Sequence, residues 1–188
     1  SHPGRMDESV IDDSDLSLER KSLLPGWGFF VPDDIRRERR ADRIREAVDG
    51  AEVVVVADPD ADGLACVAIV ETAVGEAALV PAGPHDLDEG LQRAAEFAAE
   101  DASLFVCDLA PDSFEAVADP LATLDGVRWF DHHQWDDDVA EAVRNAGVDL
   151  VIGDEDECTA DVAARELDGV PDRLVELAAV TRDHDLWL

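Results

Sequence analysis

The sequence is poor in basic residues. It has 15 lysines and arginines against 46 aspartates and glutamates, a formal charge of −31, and Lys21 is its only lysine. Such a balance is typical either of a disordered acidic chain or of a folded protein adapted to high salt, where about 1 M salt screens charges within roughly 3 Å. The regular apolar pattern described below favours the folded, salt-adapted protein. The net charge does not exclude a nucleic-acid partner, because at such salt phosphate contacts are weak for any protein.

Long hydrophobic runs and a cysteine framework are also lacking. No apolar segment approaches the roughly 18 residues of a membrane span, and the start lacks the layout of a secretion signal, so we expect a cytoplasmic protein with no membrane partner. Cys66, Cys107 and Cys158 have no metal-type spacing, which predicts buried free thiols in a reducing compartment. The only methionine is Met6, so we interpret residues 1–5 as a tag remnant.

Short apolar runs alternate with helical segments along most of the chain. The five runs are residues 52–57, 77–81, 103–107, 127–130 and 149–152. Helices are expected at residues 34–48, from residue 63, and from near residues 88, 112 and 137. This alternation predicts an α/β fold, with a parallel sheet of about five strands flanked by helices on both faces. We expect residues 6–33 to form an N-terminal strap and residues 34–188 to form one domain.

Acidic residues and histidines follow these runs directly. Three aspartates follow the first run, Asp108 follows the third, Asp131, His132 and His133 follow the fourth, and Asp154 follows the fifth. Parallel sheets bind ligands beyond the carboxyl ends of their strands, so these residues should meet at one edge. Aspartate is common here, and helix capping accounts for a single one equally well. An Asp-His-His triplet, by contrast, is expected by chance only about 0.02 times in this composition, although a structural histidine pair is an alternative.

The segment "ADPDADG" holds the three aspartates that follow the first apolar run, Asp58, Asp60 and Asp62. If the segment is extended, alternate side chains share a side, and carboxylates that close raise one another's pKa or require cations. Gly63 is then expected to let the chain turn into the next helix, whose N-terminus favours a phosphate oxygen. With Asp108, His132 and an acid from elsewhere in the chain added, the donors suit two divalent ions about 3.5–4 Å apart. Mixed imidazole and carboxylate ligands favour Mn²⁺, with Mg²⁺ or Zn²⁺ as alternatives.

Four motifs then carry a family resemblance. "DPDADG", "VCDLAP", "FDHH" and "RDHD" resemble, in order and spacing, the four motifs of the DHH phosphoesterases. The first motif is similar to that of the RecJ-like exonuclease branch. Other branches, the manganese pyrophosphatases and oligoribonucleases, usually carry a histidine where Val56 stands. The resemblance covers residues 52–185, and with the acidic composition it implies a halophilic, archaeal source.

The resemblance implies a role for each residue of these motifs. Its metal ligands would be Asp58, Asp60, Asp62, Asp108, His132 and Asp183. Asp60 would bind the first ion and Asp62 the second, Asp108 would bridge them, Asp58 would assist the first ion, and His132 and Asp183 would complete the second site. The catalytic residues would be Asp131, His132 and His133. Asp131 would accept a hydrogen bond from an imidazole and so fix its tautomer, and His133 would face the scissile phosphate.

The implied activity is that of a manganese-dependent phosphodiesterase or exonuclease acting on single-stranded nucleic acid or short oligonucleotides. One alternative is a small-molecule phosphoesterase acting on bisphosphorylated adenosine, a cyclic dinucleotide or pyrophosphate. Another is a non-catalytic scaffold of the replication machinery, and a replication or repair protein is a candidate partner in either case. Family members usually continue into a smaller substrate-binding domain, which we expect to be absent from this chain. The arginine-rich helix 34–48 could hold a nucleic-acid backbone or pair with its own acids.

Overall fold

The computed structural model describes residues 32–185, with side chains as far as residue 183. The predicted tag remnant, and the predicted strap as far as residue 31, lie outside these residues. The chain divides into two compact units, residues 1–42 and residues 43–188, and the first of these is described only for residues 32–42. No helix of residues 32–185 is long and apolar enough to cross a membrane.

Five strands form one parallel sheet, as predicted. They are β1 Val53–Ala57, β2 Ala78–Pro81, β3 Ser103–Cys107, β4 Val127–Asp131 and β5 Asp149–Ile152. Their order across the sheet is β2-β1-β3-β4-β5, and every neighbouring pair is parallel. The chain therefore builds the sheet outwards in one direction from β1 to β2 and in the other direction from β3 to β5.

Seven helices are present in the described residues. They are α1 Asp33–Val48, α2 Ala61–Ala73, α3 Leu87–Phe97, α4 Glu115–Thr123, α5 Asp137–Asn145, α6 Thr159–Glu166 and α7 Asp172–Asp185. The predicted helices at 34–48, near 88 and near 137 are confirmed to within a residue. The helix expected near residue 112 begins three residues later, and α6 and α7 are additions to the predicted elements.

The sheet has a packed core on each face, which confirms the predicted α/β fold. Val54 and Val56 of β1 face the end of α1 together with α3, α4 and α5, whereas Val53 and Val55 face α2, α6 and α7. Because both faces are covered, every position of β1 is buried and the strand is a continuous aliphatic run rather than an alternating one. The three cysteines are buried free thiols, as predicted, and burial raises the pKa of the Cys158 thiol well above its usual value.

The segment after β1 becomes helical sooner than predicted. Asp60 is the N-cap of α2 and accepts a hydrogen bond from the Gly63 amide at 2.8 Å, so Asp62 lies in the first helical turn. The expectation of an extended segment with Asp58, Asp60 and Asp62 on one side was therefore wrong, because capping by Asp60 starts the helix at Ala61. Nor does Gly63 serve as a turn before the helix. A Cβ at this position would lie 1.8 Å from the Asp58 carbonyl oxygen, so glycine is required by the close packing of backbone.

Candidate metal centre

The candidate centre lies at the carboxyl ends of β1, β3 and β4. Strand order reverses between β1 and β3, because the chain adds β2 on the far side of β1 before it returns to form β3. Such a point leaves a crevice outside the strand ends, where open α/β sheets bind their ligands. Asp60 follows β1, Asp108 follows β3, and Asp131 is the last residue of β4.

His132 links the acids of two separate strand ends. Its Nε2 lies 3.4 Å from Asp108 Oδ1 and 3.6 Å from Asp62 Oδ2. The possible ligand atoms of Asp108, His132 and His133 all lie within 4.8 Å of one another, a spacing that would suit a single ion. Asp60 also acts on Asp108, because its negative charge raises the pKa of Asp108. We call Asp60, Asp62, Asp108, His132 and His133 the carboxylate–histidine cluster.

Asp108 is a buried acid of this cluster, and its pKa is raised. It is 4% exposed and its φ is 62°, in the left-handed region that aspartate tolerates better than most residues. Burial, above all, and the charges of Asp62 and Asp60 raise the pKa of Asp108 to about 7, although its hydrogen bond with His132 acts in the opposite direction. A carboxyl group whose charge is disfavoured by burial and by like charges gains from a bound cation.

Asp62 is supported by the start of a distant helix. Its side chain is 1% exposed and accepts hydrogen bonds from the backbone amides of Thr159, at 3.0 Å, and Ala160, at 2.8 Å. These are free amides of the first turn of α6, where the helix dipole favours a negative charge. Because a carboxylate has about four acceptor positions, Asp62 keeps acceptor capacity on the side of His132.

Thr159 is a site residue that sequence reasoning missed. It is fully buried, its amide donates to Asp62, and its hydroxyl donates to Asp108 Oδ1 at 3.0 Å. One residue therefore fixes two acids of the cluster. The only local signal in the sequence is an acid three residues after Cys158, a spacing typical of a helix start. In the structure the Cys158 amide donates to that acid, Asp161, as in a capping box.

Asp131 lies beneath the cluster and orients His133. It is 0% exposed and accepts hydrogen bonds from His133 Nδ1 and from Trp135 Nε1, both at 2.7 Å. The bond to Asp131 raises the pKa of His133 to about 9, and the hydrogen bond to Asp108 raises the pKa of His132. With Nδ1 of His133 engaged, its Nε2 is the nitrogen left for a ligand or a substrate.

The remaining candidate residues are placed differently. Burial, followed by the charge of Asp60, raises the pKa of Asp58. Asp183 is not brought into the cluster, because its side chain on α7 is 76% exposed and its contact is with Arg182 at 3.9 Å. Asp154, after β5, is exposed and accepts a hydrogen bond from the Asp156 amide.

The donors of the cluster fit divalent cations. Carboxylate oxygens and imidazole nitrogen together can hold Mn²⁺, Mg²⁺ or Zn²⁺, and a bound cation would offset the repulsion between the acids. No family model, curated protein or solved structure matches this chain. The resemblance to the DHH phosphoesterases therefore depends on the four sequence motifs, and the chemistry depends on the geometry of the cluster.

Proposed function

We propose that this chain is a metal-dependent phosphoesterase that uses two divalent ions, preferably Mn²⁺, to hydrolyse phosphodiester bonds of single-stranded nucleic acid or short oligonucleotides. The observation that carries the proposal is the meeting of His132 with Asp62 and Asp108, from three separate strand ends, at the reversal point of the sheet. A degenerate scaffold would have no need to keep buried acids together at this cost in charge repulsion.

Divalent ions at such a centre supply an acidified water molecule and neutralise charge on the phosphoryl oxygens. The chain's own residues supply the rest. Asp60, Asp62, Asp108 and His132 would hold the ions, with Thr159 keeping two of the acids in position. No side chain has to act as a nucleophile.

His133 is the residue suited to the substrate. Its Nδ1 is bonded to Asp131, so the ring is fixed and Nε2 can donate a hydrogen bond to a phosphoryl oxygen of the scissile group. Trp135 donates to the other oxygen of Asp131, which fixes the acid in turn. His133, held in this way, would stabilise the negative charge that develops as the phosphodiester bond breaks.

The test is hydrolysis by the purified protein at high salt with Mn²⁺. We expect nucleotides to be released from single-stranded DNA or RNA, and Asp108→Asn or His132→Ala to lower the rate roughly 100-fold or more. Asp112→Asn is the matched control, because Asp112 is an exposed aspartate in the loop after the same strand as Asp108. Manganese content should fall with the rate in the first two variants and stay unchanged in the control.

Pyrophosphate, bisphosphorylated adenosine and cyclic dinucleotides belong in the same panel. Turnover of one of these without turnover of single strands would replace the proposed substrate and keep the phosphoesterase chemistry. No turnover of any phosphoester, together with no bound manganese, would refute the proposal.

A further inference from the structure

A cavity of about 560 Å³ opens beside the two histidines of the cluster. Its walls come from the segment after β4, from α5 and from the end of β5, and they include His132, His133, Trp135, Arg144, Ile152 and Glu155. We call it the histidine-side cavity. Its volume is that of an ordinary small-ligand site, and because His133 lines it, an occupant would lie next to that histidine.

Trp135 and Ile152 give the histidine-side cavity an aromatic and an aliphatic lining residue. Trp135 is half-buried and packs edge-on against the buried Trp129, with ring centroids 5.3 Å apart and an interplanar angle of 80°. The bond from Trp135 Nε1 to Asp131 holds the indole in that orientation. Ile152, also half-buried, packs against the same core. A preformed aromatic and aliphatic wall suits a planar heterocycle such as a nucleobase.

The cavity also contains an arginine that pairs with no acid of the described residues. Four arginines of residues 43–183 form ion pairs with nearby acids: Arg93, Arg128, Arg165 and Arg182. Arg144 forms none with any described carboxylate, and its one hydrogen bond among these residues goes from Nη2 to the Leu150 carbonyl oxygen at 3.3 Å. Arg144 is exposed and lines the cavity, and it pairs with none of the acids that the structure describes. Although the chain is strongly acidic, Arg144 is therefore available for an anion such as phosphate.

Acids line the same cavity and limit the choice of ligand. Asp137, Asp154 and Glu155 face it together with Arg144 and the histidines. Three carboxylates would repel a ligand made only of phosphate, such as pyrophosphate. They can accept hydrogen bonds from the amino and imino groups of a base, however. The lining as a whole therefore fits a ligand with a base at one end and a phosphate at the other.

We propose that the histidine-side cavity binds one nucleotide unit of the substrate, with its base against Trp135 and Ile152 and a phosphate on Arg144. The inference rests on the proposed function, because it assigns the nucleotide that flanks the bond facing His133. Arg144 would then contact a phosphate other than the scissile one, which makes the cavity a determinant of specificity for nucleotides over simple phosphoesters.

The test is binding of adenosine 5′-monophosphate to the metal-free protein, measured by calorimetry at fixed high salt. We expect Arg144→Gln to weaken this binding about tenfold, as the loss of a charge-assisted hydrogen bond does, and to leave the binding of adenosine unchanged. Arg173→Gln is the matched control, because Arg173 is also exposed, lies outside the cavity and has no acid partner among the residues the structure describes. It should bind both probes as the unaltered protein does.

Arg144→Lys is the control for a folding defect. It keeps the positive charge, so it should bind the nucleotide more tightly than Arg144→Gln does. Equal affinities in the Arg144→Gln and Arg173→Gln variants, or no binding of the nucleotide to the unaltered protein, would overturn the inference. Hydrolysis is measured separately. Nucleotide binding that depends on Arg144 without any hydrolysis would refute the proposed function alone, and hydrolysis without such binding would refute the cavity's role alone.

Discussion

Replacing Thr159 by valine removes one hydroxyl group from the centre and changes little else. The hydroxyl donates to Asp108 Oδ1 at 3.0 Å in a position with no solvent access, so no water can take its place. A hydrogen bond to a charged group contributes about 1.5–3 kcal/mol, and each 1.4 kcal/mol is about a factor of ten in affinity. We expect manganese to bind roughly 10–100-fold more weakly to Thr159→Val, while the amide of residue 159 still supports Asp62.

Manganese titration by calorimetry measures this difference directly. Thr181→Val is the control, because Thr181 is also buried but its hydroxyl bonds to the Leu177 carbonyl oxygen within α7. Thr159→Ser keeps the hydroxyl and should restore most of the affinity. Equal manganese affinities for the two valine variants would refute the argument that Thr159 positions the acids of the cluster.

Three further predictions concern the same centre. Gly63→Ala should lower the free energy of unfolding by about 1–3 kcal/mol or more in urea denaturation, because its Cβ would overlap the Asp58 carbonyl; an unchanged midpoint would contradict the close packing. The folded-state pKa of Asp108, about 7, lies above its ordinary value, so folded metal-free protein holds the extra proton and its stability should fall as pH rises from about 4 to 7. Asp108→Asn should remove this part of the dependence, and identical stability profiles would contradict it. Asp131→Asn should bring the pKa of His133 down from about 9 toward the ordinary histidine value in an NMR titration, and no shift would mean that the hydrogen bond between them is not its cause.

The sheet could be predicted because each of its strands is a short apolar run in the sequence. Five consecutive aliphatic positions in β1 are buried on both faces, and a short, continuous β-branched run is typical of a strand inside a parallel sheet. The edge at which Asp108 and His132 meet could be predicted from the same runs, since parallel strands bring their carboxyl ends together. Local patterns were therefore enough for the sheet and for the approximate place of the site.

The contacts that hold the acids were not predictable from local patterns. Asp62 is bound by amides 97 and 98 residues further along the chain, and nothing near Asp62 marks those partners. α6, which supplies them, has only eight residues and shows no long apolar periodicity. The exposure of Asp183 could not be predicted either, because it depends on how α7 packs. The motif "RDHD" would be the same whether or not the Asp183 side chain reached the cluster.

The separation between Asp62 and the start of α6 has a consequence for how the protein is made. During synthesis Asp62 leaves the ribosome 97 residues ahead of Thr159, so the amides that bind its carboxylate are missing until α6 has been translated. Closing so long a loop costs entropy that only the finished sheet and α6 can offset. The centre therefore cannot assemble until α6 has been made. A nascent chain that stops before α6 contains the acids but not the contacts that hold them together.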